Sequence, residues 1–239
     1  MPSAWTTVPL NSPDFAPLGN LVNPKPSSDG SELRLNTGNG TDWWRVPFPA
    51  PGRDDTSGGV WGFKRKIGKE GFEVRCELQV DAGSKQQFDQ AALLIQLSPT
   101  EWAKTGAEFD HGKMWYGAVV CNPFSDWSIQ PKSDLTRFTF SLDPTLTTLR
   151  IYLGPGSSSP SSAEDGDIMI REVKSFGLIS AGLAHITPGS VPEDTDPAAK
   201  LADMEVTVGV MACSPIGKGE GPECVFRRFE MRDGVRSEA

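Results

Sequence analysis

Residues 72–80 read Phe-Glu-Val-Arg-Cys-Glu-Leu-Gln-Val, apolar and polar side chains in strict alternation. Successive side chains of an extended chain point to opposite faces. This register therefore gathers Phe72, Val74, Cys76 and Leu78 on one face and Glu73, Arg75, Glu77 and Gln79 on the other. The spacing predicts a β-strand with one buried face. Working outward, residues 91–97 form a continuous apolar run short enough for a buried strand. Residues 114–121, 137–142, 148–153, 167–173, 204–211 and 225–231 continue the series, separated by turn signals such as Asp143-Pro144 and the Gly/Pro-rich residues 217–222.

Helical periodicity is nearly absent. Residues 196–203 are the exception, with Asp196 as a cap and Pro197 at the first helical position. The 25 glycines and 20 prolines are scattered without a repeat, as turns between short strands require. Roughly ten to fourteen short strands in one all-β unit imply two packed antiparallel sheets, a sandwich or jelly roll, with one short helix at most. All 239 residues are read as one domain. Residues 1–31, rich in Pro, Ser and Asn, are expected to wrap its surface, and the low-complexity residues 154–166 to form a mobile loop.

The charge balance removes several function classes. With 31 Asp and Glu against 23 Lys and Arg, the net charge of −8 disfavours a nucleic-acid partner. The densest basic run, Lys64-Arg65-Lys66 with Lys69, reads as a solvated strand end. No apolar run approaches the roughly 18 residues a membrane helix needs, and the N-terminus carries no secretion signal, so a cytoplasmic location without membrane contact is expected. Cys76, Cys121, Cys213 and Cys224 are too dispersed for a disulfide scaffold or a zinc site. Free thiols fit a reducing compartment, with a Cys213–Cys224 bridge across a hairpin as the alternative. No dinucleotide fingerprint, P-loop, HExxH or GxSxG motif occurs, and the histidines are His111 and His185 alone, so neither cofactor nor metal is expected.

Chemistry-bearing residues cluster in a few places. Trp43-Trp44-Arg45 puts one tryptophan toward the core and the other outward, as a platform for a sugar or an aromatic ligand, unless both serve packing. Arg53-Asp54-Asp55 lies in a Gly-flanked loop that rims a ligand, binds a cation through Asp54 and Asp55, or is merely solvated. Phe88-Asp89-Gln90 opens the apolar strand, and Ser125-Asp126-Trp127-Ser128 follows a Pro-Phe turn; both can hold a ligand or satisfy turn amides. Glu108 and Asp110 share a strand face about 7 Å apart, the outline of a glycosidase pair.

Several of these residues together resemble a known family. Thr41-Asp-Trp-Trp-Arg45, Arg53-Asp54, Phe88-Asp-Gln-Ala-Ala-Leu, Glu101-Trp102, Lys104-x-Gly-x-Glu108, Asp110-x-Gly112, Ser125-Asp-Trp-Ser128, Ala212-Cys-Ser-Pro215 and Val225-Phe-x-x-Phe229 follow one another in the family's order. The chain thereby resembles a domain-of-unknown-function family of the concanavalin A-like lectin/glucanase superfamily, which includes fungal proteins described as regulators of enolase. The resemblance implies a jelly roll with one concave sheet, and it implies no reaction. Family members often carry Gly-His after the Arg-Asp pair, whereas here Asp54 is followed by Asp-Thr-Ser-Gly-Gly. The stretches around 154–166 and 182–200 resemble insertions.

The superfamily's retaining glucanases place a second glutamate four or five residues after the first, at the close spacing of about 5–5.5 Å that their chemistry needs. Here the residues four and five after Glu108 are Gly112 and Lys113, so Glu108 has no acid partner on its strand. Three functions remain in view. The first is a protein that binds a carbohydrate or other small polar-aromatic ligand on its concave face through Trp43, Trp44, Arg45, Arg53, Asp54, Gln90, Glu108, Asp126 and Trp127. The second is a non-hydrolytic lyase, isomerase or cyclase with Glu108 as catalytic base. The third is a regulator acting through a protein partner.

Overall fold

The computed structural model describes residues 2–80, 86–156, 166–183, 195–218 and 221–237. Two antiparallel sheets form a jelly-roll sandwich. The eight-stranded sheet runs β15 (Ile168–Val173), β14 (Thr148–Pro155), β13 (Leu135–Asp143), β8 (Phe72–Val80), β17 (Cys224–Asp233), β4 (Glu32–Thr37) and β3 (Leu21–Pro26), with β1 (Thr6–Thr7) paired to the later half of β17. The seven-stranded sheet runs β12 (Ser125–Pro131), β11 (Lys113–Cys121), β10 (Glu101–Asp110), β9 (Gln90–Ser98), β16 (Glu205–Cys213), β7 (Gly59–Lys66) and β2 (Ala16–Leu18). A separate two-stranded ribbon joins β5 (Trp43–Val46) to β6 (Arg53–Thr56).

The core is built as the alternation in β8 dictates. Phe72, Val74, Cys76 and Leu78 enter the space between the sheets, where they meet Leu93 and Ile95 of β9, Phe138 and Phe140 of β13, and Val208 and Val210 of β16. Each such side chain, fully buried, contributes roughly 1.5–3 kcal/mol. The continuous apolar run in β9 has a different cause. Its alternate residues Ala92 and Leu94 leave the sandwich core and enter a second buried cluster with Trp43, Val60, Trp102, Val119, Cys121, Met211 and Cys213. The seven-stranded sheet is thus covered on both faces over part of its area, and the strand is apolar throughout because neither face meets water.

Residues 1–31 do more than wrap the surface. They supply β1 and β3 to one sheet and β2 to the other, and they bury Leu10 and Phe15. Pro17 in β2 and Pro24 in β3 hid these strands in the sequence, yet an edge strand tolerates a proline on its unpaired side. The helix α1 (Pro197–Asp203) forms where its cap signals place it, with the Asp196 side chain accepting from the Ala199 amide at 3.1 Å. The basic run ends β7 with Lys64 and Lys66 exposed. All four cysteines are buried free thiols, so Cys213 and Cys224 do not pair. Of the expected loop 154–166, the first two residues belong to β14, and 157–165 lie outside the described residues, as does His185. Among the described residues no helix is long and apolar enough to cross a membrane.

Candidate functional site

The candidate site grows out of the period of β10. Trp102, Lys104, Gly106 and Glu108 alternate with Ala103 and Ala107 of the core, so they share the face turned away from it. Strand pairing extends each position into a row across the sheet. Glu108 lies between Gln90 and Trp115, Gly106 between Ala92 and Gly117, and Lys104 between Leu94 and Val119, the last facing Trp127. The middle row is small throughout and leaves a depression. A Cβ on Gly106 would lie 2.0 Å from the Ala91 carbonyl oxygen, so the strand approach itself requires glycine there.

The β5–β6 ribbon lies against this face. Trp43 packs edge-on against Trp102, ring centroids 5.3 Å apart, and its Nε1 donates to the Gly58 carbonyl at 3.0 Å. Alternation then turns Asp42 and Trp44, with Arg53 of β6, toward the depression. The result is a cavity of about 280 Å³ lined by Asp42, Trp44, Arg53, Phe88, Gln90, Lys104, Glu108, Val119 and Trp127. A crevice of about 20 Å³ adjoins it and reaches Gly106 and Gly117. Phe88, held at φ 67°, meets Trp127 edge to face at 6.5 Å.

The charges in the cavity are unequally matched. Asp42, buried, lies 3.6 Å from Lys104 Nζ and 3.2 Å from Arg53, and Arg53 also reaches Asp55 at 3.1 Å. Lys104 is itself only 3% exposed. Glu108, 9% exposed, accepts no hydrogen bond from any described residue and forms no ion pair with one. Burial pushes its carboxyl up to about 7; Lys104 opposes that shift, while Asp42 and Asp110 add to it.

Asp110 differs sharply from its neighbour on the same face. Burial raises its carboxyl, but Gln87 donating at 2.7 Å and the His111 amide and ring outweigh it and hold the group below its ordinary range. It closes the turn through His111 (φ 47°) and Gly112 (φ 78°). The two acids therefore do not act as a matched pair. The thiol of Cys213, behind Gln90 in the first row, is pushed strongly up by burial.

Five of the residues expected from sequence converge on the cavity: Trp44, Arg53, Gln90, Glu108 and Trp127. Four others stand outside its lining. Trp43 is core, because adjacent residues of β5 face opposite ways. Arg45 faces the same way as Trp43 and is held by the Pro123 carbonyl at 2.8 Å and by Asp54 at 3.0 Å, which accounts for Asp54 as well. Asp126 points away from Trp127 and pairs with Arg171. Sequence reasoning gave no site role to Lys104, Asp42 or Val119, and it named Phe88 only as the opening residue of the stretch 88–90. The first two were within reach of the same period-2 argument, since Lys104 is four residues before Glu108 and Asp42 two before Trp44. Phe88 enters through a positive-φ turn that carries no periodic signal.

The site can be set beside known proteins. A Saccharomyces cerevisiae protein named "Regulation of enolase protein 1" is 29% identical over 112 residues, covering 44% of this chain and 50% of that protein. An uncharacterized protein of Emericella nidulans is 34% identical over 61 residues, 24% of this chain and 30% of its own length. The chain thus spans half or less of these curated relatives. A crystal structure described as a functionally unknown protein from Saccharomyces cerevisiae superposes with TM-score 0.69 at 19% identity, over 96% of this chain and all of that one. The GH43 protein BlXynB of Bacillus licheniformis superposes with TM-score 0.54 at 12% identity, over 85% of this chain and 33% of that chain. At these identities the two structures speak for the fold alone. The family described as "Protein of unknown function (DUF1349)" matches residues 21–174, and this chain belongs to that family.

Proposed function

We propose that the protein binds one ring-sized polar ligand, a carbohydrate or a small aromatic compound, in the cavity between the β5–β6 ribbon and the seven-stranded sheet. The observation that carries this reading is the convergence of Trp44, Phe88 and Trp127 with Gln90, Lys104 and Glu108 around one space of about 280 Å³. Aromatic walls take the apolar face of a ligand, and a few placed polar groups fix its orientation. The volume lies near the lower end of the ~300–1,000 Å³ usual for small-molecule sites, which suits a single ring better than an extended oligosaccharide. Isothermal titration against monosaccharides and small ring compounds tests the reading. Saturable binding that is lost in Trp44→Ala supports it, and no binding to any of them removes it.

A second reading has its own support. A carboxyl pushed up to about 7 that accepts no hydrogen bond from a described residue is suited to take a proton near neutral pH, so Glu108 would act as the general base of a lyase, isomerase or cyclase. Full turnover by Glu108→Gln on a substrate found by metabolite screening would exclude that role. The name of the Saccharomyces cerevisiae relative lends support to a regulator acting on a protein partner, and pull-down from extract separates that case from both others.

A further inference from the structure

The class of ligand follows from how the charges in the cavity are matched. Lys104 and Arg53 both lie on Asp42, and Arg53 lies on Asp55 too, so the cations lining the space are already engaged. Glu108 is not: it is nine-tenths buried, lines the cavity and accepts no hydrogen bond from a described residue. A buried ionised carboxylate without a partner is costly, and a ligand that brings a charged donor removes that cost and forms a short, strong hydrogen bond. The walls point the same way independently. Trp44, Phe88 and Trp127 surround the space, and aromatic rings attract organic cations through their quadrupole. An anionic ligand would find the cations taken and Glu108 opposing it.

We infer that the cavity selects a small organic ammonium, with its protonated nitrogen against the Glu108 carboxylate and its carbon skeleton against Trp44 and Trp127. This rests on the reading that the cavity is the binding site, and it names the chemistry of the occupant. It also fixes the pH dependence. The ligand needs the ionised carboxylate, and Glu108 is protonated below about pH 7. Affinity therefore rises with pH up to about 7, by about tenfold per unit, and then levels off until the amine itself loses its proton. The groups that face Glu108 are Lys104 and Asp110 on its own strand, Asp42 beside β5, Arg53 on β6 and the Cys213 thiol on β16. His111 bonds Asp110 from the solvent side, so His111→Gln should leave the profile in place.

The test is calorimetric titration of the full chain with cyclohexylammonium and with cyclohexanol, which share a skeleton and differ in charge, at pH 5.5, 7 and 8. D-glucose serves as the neutral polyol. At pH 8 cyclohexylammonium should bind at least about tenfold more tightly than cyclohexanol, and Glu108→Gln should remove that margin. Equal affinities, or a margin that survives in Glu108→Gln, overturn the inference. If glucose or cyclohexanol binds and the ammonium shows no advantage, the cavity remains a binding site and the ammonium selectivity falls. If none of the three binds, both fall.

Discussion

Two buried glutamates on opposite sheets of this protein live under opposite conditions. Glu73 of β8 is fully buried, and both of its oxygens are held by guanidinium groups, from Arg232 and from Arg236 at 2.8 Å. Arg236 continues to Asp167 at 2.8 Å, and Arg137 holds the other oxygen of that aspartate at 2.7 Å. Glu108 is almost as deeply buried, yet it faces a cavity and no described residue donates a hydrogen bond to it. The polar face of β8 would read as solvent-exposed from its alternation alone. Glu73 on that face is buried because arginines from β17 and the C-terminal segment fold over it and bring the matching charge, while Gln79 at the other end stays exposed. Burial of an acid therefore says little about function. Burial without a matching donor, beside an open space, is the informative case.

Substitution should break the comparison in opposite directions. Glu73→Gln removes the counter-charge shared by buried Arg232 and half-buried Arg236, of which Arg236 keeps Asp167, and removing one member of such a cluster typically costs about 3–5 kcal/mol. The urea midpoint at pH 7 should fall accordingly. A cost below about 1 kcal/mol would mean that the arginines relax into solvent and that the cluster is not the structural counterpart drawn above.

Glu108→Gln should stabilise instead, and only above acidic pH. The folded-state carboxyl sits near 7 against an ordinary 4.5, so the native protein binds more protons than the unfolded chain between those values. Stability contributed by this group is therefore full below about pH 4.5 and is lost as pH rises to 7. The sum approaches about 3 kcal/mol. Carboxylates held low, such as Asp110, give the opposite slope, so the difference between variant and parent is the quantity to follow. Thermal unfolding at pH 4.5, 6 and 8 should show no difference at the first and the largest gain at the last. A flat difference would mean that Glu108 already has a donor in solution.

Much of this was legible along the chain, and the gaps have physical causes. The strand at 72–80 is legible because a face packed on the core and a face covered by charged side chains give the plain period of two. Of β10 only the end carrying Glu108 and Asp110 was read as strand, because nearly every residue of it is buried, Lys104 and Glu108 included, so apolar and polar residues fall on both faces. β12 was hidden differently: it is an exposed edge, with Trp127 and Ile129 at the surface and no buried face to impose a pattern. Around the cavity, the family motifs supply the stretches that line it, and alternation then divides each stretch between cavity and packing. What no sequence argument reached was the matching of charges. Asp42 meets Lys104 across 62 positions of sequence, and that meeting depends on the ribbon lying against the sheet.

The smallest expected effect tests that division between neighbours. Asp126 and Trp127 are adjacent on β12 and were grouped as a single binding element in sequence. The pleat sends Trp127 to the cavity and Asp126 outward to Arg171, where its side chain is 75% exposed. An exposed ion pair contributes less than about 1 kcal/mol, so Asp126→Ala should shift the urea midpoint barely and leave probe affinity at the parental value. Trp127→Ala, one residue along, removes an aromatic wall and should weaken the same probe by about tenfold, as loss of roughly 1.4 kcal/mol of ring contact would. Equal losses in both variants would place Asp126 in the site after all and make the wall of the cavity the whole edge of β12 rather than one of its faces.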